Sequence, residues 1–258
     1  MSKRVIIYVD GGLCSQIQFL SLGYFFKSQG YDVKYDLRWF KKYGKDMDHK
    51  FDRSFVINKA FPNLDYKVAS GFSVWLYRRL FRKPWTENNL PKHLYVKGYF
   101  DLTGKSFLKY KDIFIKYFKP VDAYIVKELL NEMESNNSCA VHVRRGDLAR
   151  FNPVYGAPPT ADYFLKAIKY VLKKRPDTVF YFFSDEIEWV KESIVPKLDK
   201  NTKFKICDKN GSEKGYLDMY LIVHAKSIIA SQGSFGRMGK ELNVNRDLLF
   251  VSRDTFKC

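Results

Sequence analysis

The chain has 258 residues, 46% hydrophobic and 17% aromatic, so it can bury one large core or two small ones. No run approaches the roughly 20 apolar residues of a membrane-spanning helix, and Cys14, Cys139, Cys207 and Cys258 have neither zinc-site spacing nor disulfide-scaffold density. The net charge of +17 is concentrated in residues 1–120, which carry 23 Lys and Arg against 10 Asp and Glu, and such a basic region attracts anions.

Apolar, β-rich runs alternate with turns and helical patterns, which predicts an α/β fold with parallel sheets. Residues 161–174 predict an amphipathic helix ahead of Pro176, whereas 38–120 looks irregular, aromatic and basic. Pro120 suits a linker, so we expect two α/β domains, 1–120 and 121–258, with a cleft between them. The predicted strands are residues 4–10, 32–37, 139–143, 178–185, 203–208, 226–231 and 247–252.

The first predicted strand ends at Asp10 and is followed by Gly11 and Gly12. Two glycines at that point permit close approach of the backbone to a ligand or to the other half of the protein. The loop is neither GxGxxG nor a Walker sequence, so it does not indicate a dinucleotide or nucleoside triphosphate site. The apolar run before it is too short for a signal-peptide core, and we therefore expect a cytoplasmic protein.

Residues 75–85, WLYRRLFRKPW, combine aromatic and basic side chains. On a helix they would form a basic amphipathic segment able to rest on anionic lipid head groups. A solvated helix that packs its aromatic side chains inward explains the same pattern. Both interpretations stay open.

Residues 139–148, CAVHVRRGDL, end an apolar strand in charged residues, where ligands of parallel sheets bind. The guanidinium of Arg144 matches two phosphate oxygens, and Asp147 could orient an arginine or accept a proton. In the alternative interpretation, Asp147 pairs with Arg145 in a surface loop and His142 is a satisfied core histidine.

Three further positions follow or flank the later strands. Asp185, after the aromatic run 180–183, could accept hydrogen bonds from ribose or sugar hydroxyls, and Ser184 or Asp185 could equally cap the next helix. Asp218 lies on an apolar helix, where an unpaired carboxylate is costly, so we expect it to be paired or to bind a ligand. The loop 231–236, SQGSFG, starts a helix and predicts a phosphate site, with an ordinary glycine-rich turn as the alternative. Together these features predict a two-lobed protein that binds a phosphorylated nucleotide.

The ordered motifs GGL…Q, HVRRGD, FFSDEIEWVKE and LDMYLIVHAKSIIASQGSF resemble those of the α-1,2-fucosyltransferases, which use GDP-fucose. The resemblance spans residues 4–30 and 139–243. It implies a GT-B fold of two Rossmann-like domains facing across a cleft, with the acceptor on the N-terminal domain and the GDP-sugar on the C-terminal domain. The chain departs from the family at GGLCSQ, where the family reads GGLGNQ, and it lacks the paired tryptophans after Phe235.

The resemblance also implies roles for individual residues. Arg144, supported by Arg145, would bind the diphosphate, and Asp147 and Asp10 are the two candidate bases. Gly11, Gly12 and Gln16 would lie on the acceptor side of the cleft. The remaining donor-binding residues would be His142 and Asp218 near the guanosine, Asp185 at the nucleotide end, and Ser231, Gln232, Ser234 and Phe235 around the phosphates and fucose.

The implied activity is the inverting, metal-independent transfer of L-fucose from GDP-fucose to the 2-hydroxyl of a terminal β-galactoside. We expect no cofactor other than the donor substrate. We expect a bacterial role in O-antigen or surface polysaccharide synthesis on a lipid-linked acceptor, with peripheral contact at the inner face of the plasma membrane and no nucleic-acid partner. Alternatives are a GDP-colitose-dependent α-1,2-colitosyltransferase, a non-catalytic GDP-sugar-binding protein and, given the charge and the 18 Tyr and 22 Phe, a basic nucleic-acid-binding protein.

Overall fold

The computed structural model describes residues 2–45, 52–98, 101–146 and 157–256. The chain divides into two compact units, Met1–Phe118 and Lys119–Cys258. Each unit is built around its own parallel sheet, as the alternation of apolar runs and helical patterns predicts.

The first unit contains a three-stranded parallel sheet in the order β2-β1-β3. Its middle strand, β1, is the apolar run that opens the sequence, and its side chains are buried from Val5 to Ile7. The elements of this unit are β1 (Lys3–Tyr8), α1 (Leu13–Ser28), β2 (Tyr31–Asp36), α2 (Arg38–Lys42), α3 (Ile57–Ala60), α4 (Gly71–Leu80), β3 (His93–Val96) and α5 (Asp101–Tyr117).

Helices cover both faces of this first sheet, because strand side chains alternate between the faces. On one face α1 lies so close that a side chain at Gly23 would collide with the Tyr35 ring. On the other face Val74 of α4 packs with Ile6 and Tyr95. The sheet is therefore sandwiched, and the carboxyl ends of its strands stay at one edge.

The expectation that residues 38–120 are irregular is wrong. Its described residues form four helices and β3, which pairs with β1 from Arg4–His93 to Ile7–Val96. A strand of only four residues carries too short a pattern to stand out, and its pairing with β1 determines its conformation. Within 75–85 only the first part is helical, because α4 ends at Leu80.

The second unit contains a five-stranded parallel sheet in the order β6-β5-β4-β7-β8. The central strand, β4, is buried along its whole length, as expected for a strand covered on both faces. Helix α7 has the bounds that its apolar periodicity predicts. The elements are α6 (Lys127–Ser135), β4 (Ser138–Val143), α7 (Ala161–Lys174), β5 (Val179–Ser184), α8 (Ile187–Ser193), β6 (Lys203–Ile206), α9 (Gly215–His224), β7 (Ser227–Ala230), α10 (Ser234–Glu241) and β8 (Leu249–Val251).

The order of these five strands creates a topological switch point beside β4. From β4 the chain continues to β5 and β6 on one side, and it then returns to β7 and β8 on the other. The connections after β4 and β7 therefore diverge at the carboxyl edge of the sheet, which is where open α/β sheets bind ligands. Arg144 and Ser231 are the first residues of these two connections.

In the described part of the chain, no helix is both long and apolar enough to cross a membrane. Over the same residues, no group of three His, Cys, Asp or Glu side chains could hold a metal ion. Cys14, Cys139 and Cys207 form no disulfide bond there, and Cys258 lies outside the described residues.

Candidate active site

The Arg144 guanidinium is held at the end of β4 by a carboxylate from the neighbouring strand. Arg144 Nη1 donates to Asp185 Oδ2 at 2.6 Å, and the Arg145 backbone N–H donates to Asp185 Oδ1 at 3.0 Å. Both side chains of the ion pair are about three quarters or more buried. Charge-assisted bonds of this length are strong, so Asp185 fixes both the chain and the guanidinium at the sheet edge.

The Arg145 side chain contacts a different set of residues from the Arg144 side chain. Its guanidinium stacks over the Trp189 ring at 3.9 Å, and Nη1 donates to the Pro159 carbonyl oxygen at 3.3 Å. Glu186 Oε2 lies 3.7 Å from Nε. Arginine stacks well on aromatic faces, so Arg145 stabilises the loop after β4. Trp189 was not identified as a site residue from the sequence. Its position four residues after Asp185, one helical turn away, was the available signal.

Gly146 is required by the packing around Asp185. A Cβ atom at this position would collide with Asp185 Oδ2, so a larger residue would displace the carboxylate that holds Arg144. The next residue, Asp147, lies outside the described residues. Its predicted role as base and its alternative pairing with Arg145 therefore stay predictions.

Ser184 and Asp185 have different structural roles. The Ser184 hydroxyl oxygen accepts the Glu186 backbone N–H at 3.0 Å, which completes a tight turn before α8. Helix α8 begins after Glu186 without a side-chain cap. Asp185 therefore does not cap α8. Its carboxylate instead accepts hydrogen bonds from the Arg144 guanidinium and the Arg145 backbone N–H.

His142 is a buried neutral histidine beside the candidate site. Its ring stacks on Phe235 with centroids 5.0 Å apart and an interplanar angle of 21°. Burial, and secondarily the Arg144 charge, lower its pKa to about 3. Its Nδ1 atom is buried without a hydrogen-bond partner among the residues that the structure describes. The stacked rings of His142 and Phe235 therefore lie close to Arg144.

The Ser231–Phe235 loop is tied directly to the arginine loop. The Ser231 hydroxyl oxygen accepts the Arg144 backbone N–H at 2.9 Å, and the Ser231 N–H donates to the His142 carbonyl oxygen at 3.1 Å. Gly233 has a φ of 94°, a conformation that glycine adopts at little cost. Exposed Ser234 then begins α10. The loop therefore presents the first turn of α10 beside Arg144.

Gln232 carries an unsatisfied amide inside this loop. Both Nε2 and Oε1 are buried, and neither has a partner among the described residues. A buried amide without partners is costly and rare in folded proteins. Gln232 is therefore the residue of this loop whose geometry most calls for a hydrogen-bonding ligand.

Asp218 does not contact the Arg144 cluster. It lies near the start of α9, where its Oδ1 accepts a hydrogen bond from Asn210 Nδ2 at 2.6 Å. Burial raises its pKa to about 7, although the Asn210 bond acts in the opposite direction. The carboxyl is thus paired, as its burial requires, and it lies near Cys207 at the end of β6.

In the first unit, Gln16 organises the glycine loop. Its Nε2 donates to the carbonyl oxygens of Gly11 at 3.1 Å and Ser54 at 2.9 Å, and its Oε1 accepts the Val56 N–H at 2.9 Å. The amide of Gln16 therefore joins the turn after β1 to residues 54–56. Gly11 has a φ of 75°, and Asp10 contributes to raising the Tyr8 pKa, second to burial.

A buried ionic network at the end of β2 was not anticipated. The fully buried Asp36 carboxylate accepts from Arg38 Nε at 2.9 Å and Nη2 at 3.1 Å, and from the Tyr95 hydroxyl at 2.8 Å. Hydrogen bonding to Asp36 raises the Arg38 pKa further. Asp36 is the last residue of β2, where polar residues of a parallel sheet often have functional roles. Examination of the end of β2 in the sequence would therefore have identified this network.

The predicted site residues thus form two groups. In the second unit, Arg144, Arg145, Asp185 and Ser231 are joined by direct hydrogen bonds, and His142 stacks on Phe235, next to Gln232 and Ser234. In the first unit, Asp10, Gly11 and Gly12 follow the carboxyl end of β1, and Gln16 of α1 donates to the Gly11 carbonyl oxygen. Asp218 is separate from both groups, and Asp147 is not described.

Comparisons with known proteins agree on one class. A family model described as glycosyl transferase family 11 matches residues 58–254. The α-1,2-colitosyltransferase of Escherichia coli is 28% identical over 95% of this chain and 89% of its own length. The O-antigen biosynthesis glycosyltransferase WbnK of Escherichia coli is 27% identical over 51% of this chain and 42% of its own length.

Solved structures resemble the chain over almost its whole length. POFUT1 in complex with GDP has a TM-score of 0.55 at 12% identity, covering 97% of this chain and 99% of that one. NodZ α-1,6-fucosyltransferase soaked with GDP-fucose has a TM-score of 0.53 at 13% identity, covering 94% and 93%. At this identity the likeness concerns the fold, and it confirms the predicted GT-B class.

Proposed function

The chain belongs to glycosyl transferase family 11, and from that premise we propose that it transfers L-fucose from GDP-fucose to the 2-hydroxyl of a terminal β-galactoside, with inversion at the anomeric carbon. The observation that carries this proposal is the Arg144–Asp185 pair at the switch point of the second sheet. A fixed guanidinium beside the Ser231–Phe235 loop suits a nucleoside diphosphate, since phosphate oxygens accept from its planar fork and from N–H groups at a helix start.

The chemistry follows from charge. The bond between fucose C1 and the diphosphate oxygen breaks, and the electron pair leaves with GDP. Arg144 would neutralise this growing charge from a position that Asp185 sets before the donor binds. The galactoside oxygen bonds to C1 from the opposite side, and its proton passes to a base. Asp10 and Asp147 remain the two candidates for that base.

GDP-colitose is the second candidate donor, because a colitosyltransferase is among the relatives that match nearly the whole chain. Colitose lacks the 3-hydroxyl of fucose. The buried, unsatisfied Gln232 amide supports a role in binding a sugar hydroxyl. If it binds the 3-hydroxyl, GDP-colitose would leave the amide unpaired, and discrimination would favour GDP-fucose.

The proposed setting is O-antigen or surface polysaccharide synthesis in the cytoplasm, at the inner face of the plasma membrane, on a lipid-linked oligosaccharide. An O-antigen glycosyltransferase among the relatives supports this setting. We also propose that the reaction needs no metal or cofactor, because arginine and backbone N–H groups can neutralise the diphosphate.

The test is a GDP-release assay with purified protein, β-galactoside acceptors and, in parallel, GDP-fucose, GDP-colitose and GDP-mannose, each with and without EDTA. We expect acceptor-dependent release from GDP-fucose that EDTA leaves unchanged. Arg144→Ala should lower kcat by about 100-fold or more, because it removes the charge on the leaving group. Arg246→Ala, at an exposed turn before β8, is the matched control and should retain activity.

Each arm has an outcome against the proposal. Faster release from GDP-colitose would establish the second donor. Inhibition by EDTA would contradict the metal-independent mechanism. Near-normal turnover by Arg144→Ala would contradict the assignment of the diphosphate site.

A further inference from the structure

Helix α4 exposes large apolar side chains that the proposed transfer reaction does not use, although the proposed membrane setting could. Phe72, Trp75 and Leu80 are 72%, 54% and 51% exposed. The Phe72 and Trp75 rings stack on each other, with centroids 6.1 Å apart. Single exposed apolar residues are common, but a stacked aromatic pair and an exposed leucine on one ten-residue helix expose more apolar surface than a single side chain does.

The orientation of α4 is determined by its opposite side. Val74 and Tyr77 are buried against the first sheet, and the Tyr77 hydroxyl lies 3.0 Å from His93 Nδ1. At 3.6 residues per turn, positions 72, 75, 76, 79 and 80 then lie together on the outward side. We call this surface the α4 face, defined by Phe72, Trp75, Leu76, Arg79 and Leu80.

The segment that carries the α4 face is rich in positive charge. Residues 68–85 contain Arg78, Arg79, Arg82 and Lys83 and no acidic residue. The Arg79 guanidinium lies 5.9 Å from the centre of the Trp75 ring. Within the described ranges, no ion pair joins any of these four cations to a carboxylate. Arg79, Arg82 and Lys83 are exposed to solvent.

We propose that the α4 face docks the protein on an anionic lipid bilayer. Aromatic rings favour the boundary between head groups and acyl chains, and nearby Arg and Lys attract anionic head groups. Residues 68–85 combine cations with apolar side chains and contain no carboxylate. This composition matches an anionic bilayer surface better than it matches a protein partner that carries both positive and negative charges. The excess charge of the first 120 residues acts in the same direction. This inference does not depend on which sugar the enzyme transfers.

The experiment measures co-sedimentation of the full-length protein with phosphatidylcholine vesicles, with and without phosphatidylglycerol. We expect binding only when phosphatidylglycerol is present, and weaker binding as salt is raised. Phe72→Ser combined with Trp75→Ser should lower vesicle affinity by about tenfold or more. The matched control is Tyr124→Ser, which removes an aromatic ring that is 75% exposed in the second unit.

A second variant tests the charge. Arg79→Gln, Arg82→Gln and Lys83→Gln together should lower affinity for anionic vesicles by roughly 100-fold. The control replaces three exposed lysines of α7, Lys166, Lys169 and Lys173, by Gln and should change affinity by less than about threefold. Arg78 is retained because its charge acts on Tyr8 and Tyr95 at the carboxyl edge of the first sheet.

Three results would overturn the proposal. One is failure to bind phosphatidylglycerol vesicles at low salt. Another is equal loss of binding in the α4 and α7 charge variants, which would indicate net charge alone. The third is conversion of a dimer to a monomer by Phe72→Ser with Trp75→Ser, measured by light scattering, which would make the α4 face a contact between two copies of the chain.

Discussion

The Asp185 carboxylate joins the residue after β5 to the loop after β4 in the candidate donor site. One oxygen binds the Arg144 guanidinium and the other binds the Arg145 backbone N–H. The same carboxylate determines why residue 146 is a glycine. We therefore propose that Asp185 is a positioning residue, which would act on the substrate through Arg144.

We predict that Asp185→Asn lowers kcat/KM for the donor by about 10- to 100-fold, because Arg144 loses its charge-assisted bond and the alignment that this bond provides. Initial rates of GDP release measure the effect. Glu188→Gln is the control, since Glu188 is 71% exposed and pairs with Lys191 on the surface of α8. Unchanged kcat/KM in Asp185→Asn would contradict the positioning role.

Asp218 predicts a pH dependence of stability. Its pKa is raised by burial from 3.8 to about 7, so the folded state binds an extra proton between these values. The stability associated with the protonated carboxyl is fully present below pH 3.8 and is lost as pH rises through about 7. The ionised form is therefore the destabilising one.

We predict that Asp218→Asn increases the free energy of unfolding above about pH 8 by on the order of 2–4 kcal/mol and has little effect near pH 4. Urea unfolding across this range measures the difference. The exposed Asp199→Asn variant should follow the parent protein at every pH. Parallel stability curves for Asp218→Asn and the parent would show that the carboxyl is not shifted in this way.

Helix α10 owes its position to two small residues. Gly236 faces Ala230 of β7, and a Cβ atom added to Gly236 would lie 2.6 Å from the Ala230 Cβ and 3.5 Å from His142 Nδ1. The first turn of α10 can therefore lie close to β4 and β7, and Phe235 can reach the His142 ring. The loop that precedes α10 depends on this packing.

We predict that Gly236→Ala lowers the free energy of unfolding by about 1–3 kcal/mol, because the added methyl group overpacks the contact with β7. It should also weaken GDP binding, measured by calorimetry, because α10 carries Phe235. Gly215→Ala, at the start of α9, is the control, since its Cβ would meet no atom within 4 Å. Equal stability of the two variants would contradict this packing argument.

The two units contain different candidate functional residues. The second contains the arginine–carboxylate pair and the Ser231–Phe235 loop, and the first contains the loop after β1 and the α4 face. The resemblance to the α-1,2-fucosyltransferases implies that the second unit binds the GDP-sugar and that the first unit binds the acceptor. This division can be tested with GDP alone.

We predict that GDP slows amide hydrogen exchange of the intact protein in residues 142–146, 184–186 and 231–236, because the diphosphate orders these loops. Residues 11–16 should exchange at the same rate with and without GDP. Exchange followed by mass spectrometry measures both sets of peptides in one experiment. Protection confined to 11–16 would reverse the assignment of the donor to the second unit.

Several features of this protein were determined by local sequence alone. The strands with long apolar runs and helix α7 follow from side-chain periodicity, and the polar residues after strands indicate the candidate site, because the carboxyl ends of parallel strands share one edge. The four ordered motifs indicate the family. By contrast, β3 and the exact end of α4 have weak local signals, so they escaped prediction.

Only the tertiary structure decided which partner each polar group has. Asp185 binds Arg144 across 41 positions of sequence, and Gln16 joins Gly11 to Ser54 and Val56 across up to 40. Likewise, whether the aromatic residues of α4 face inward or outward depends on which side packs on the first sheet, and Val74 and Tyr77 occupy that side. Contacts between distant positions arise from the packing of whole elements, which the periodicity of a single element does not contain.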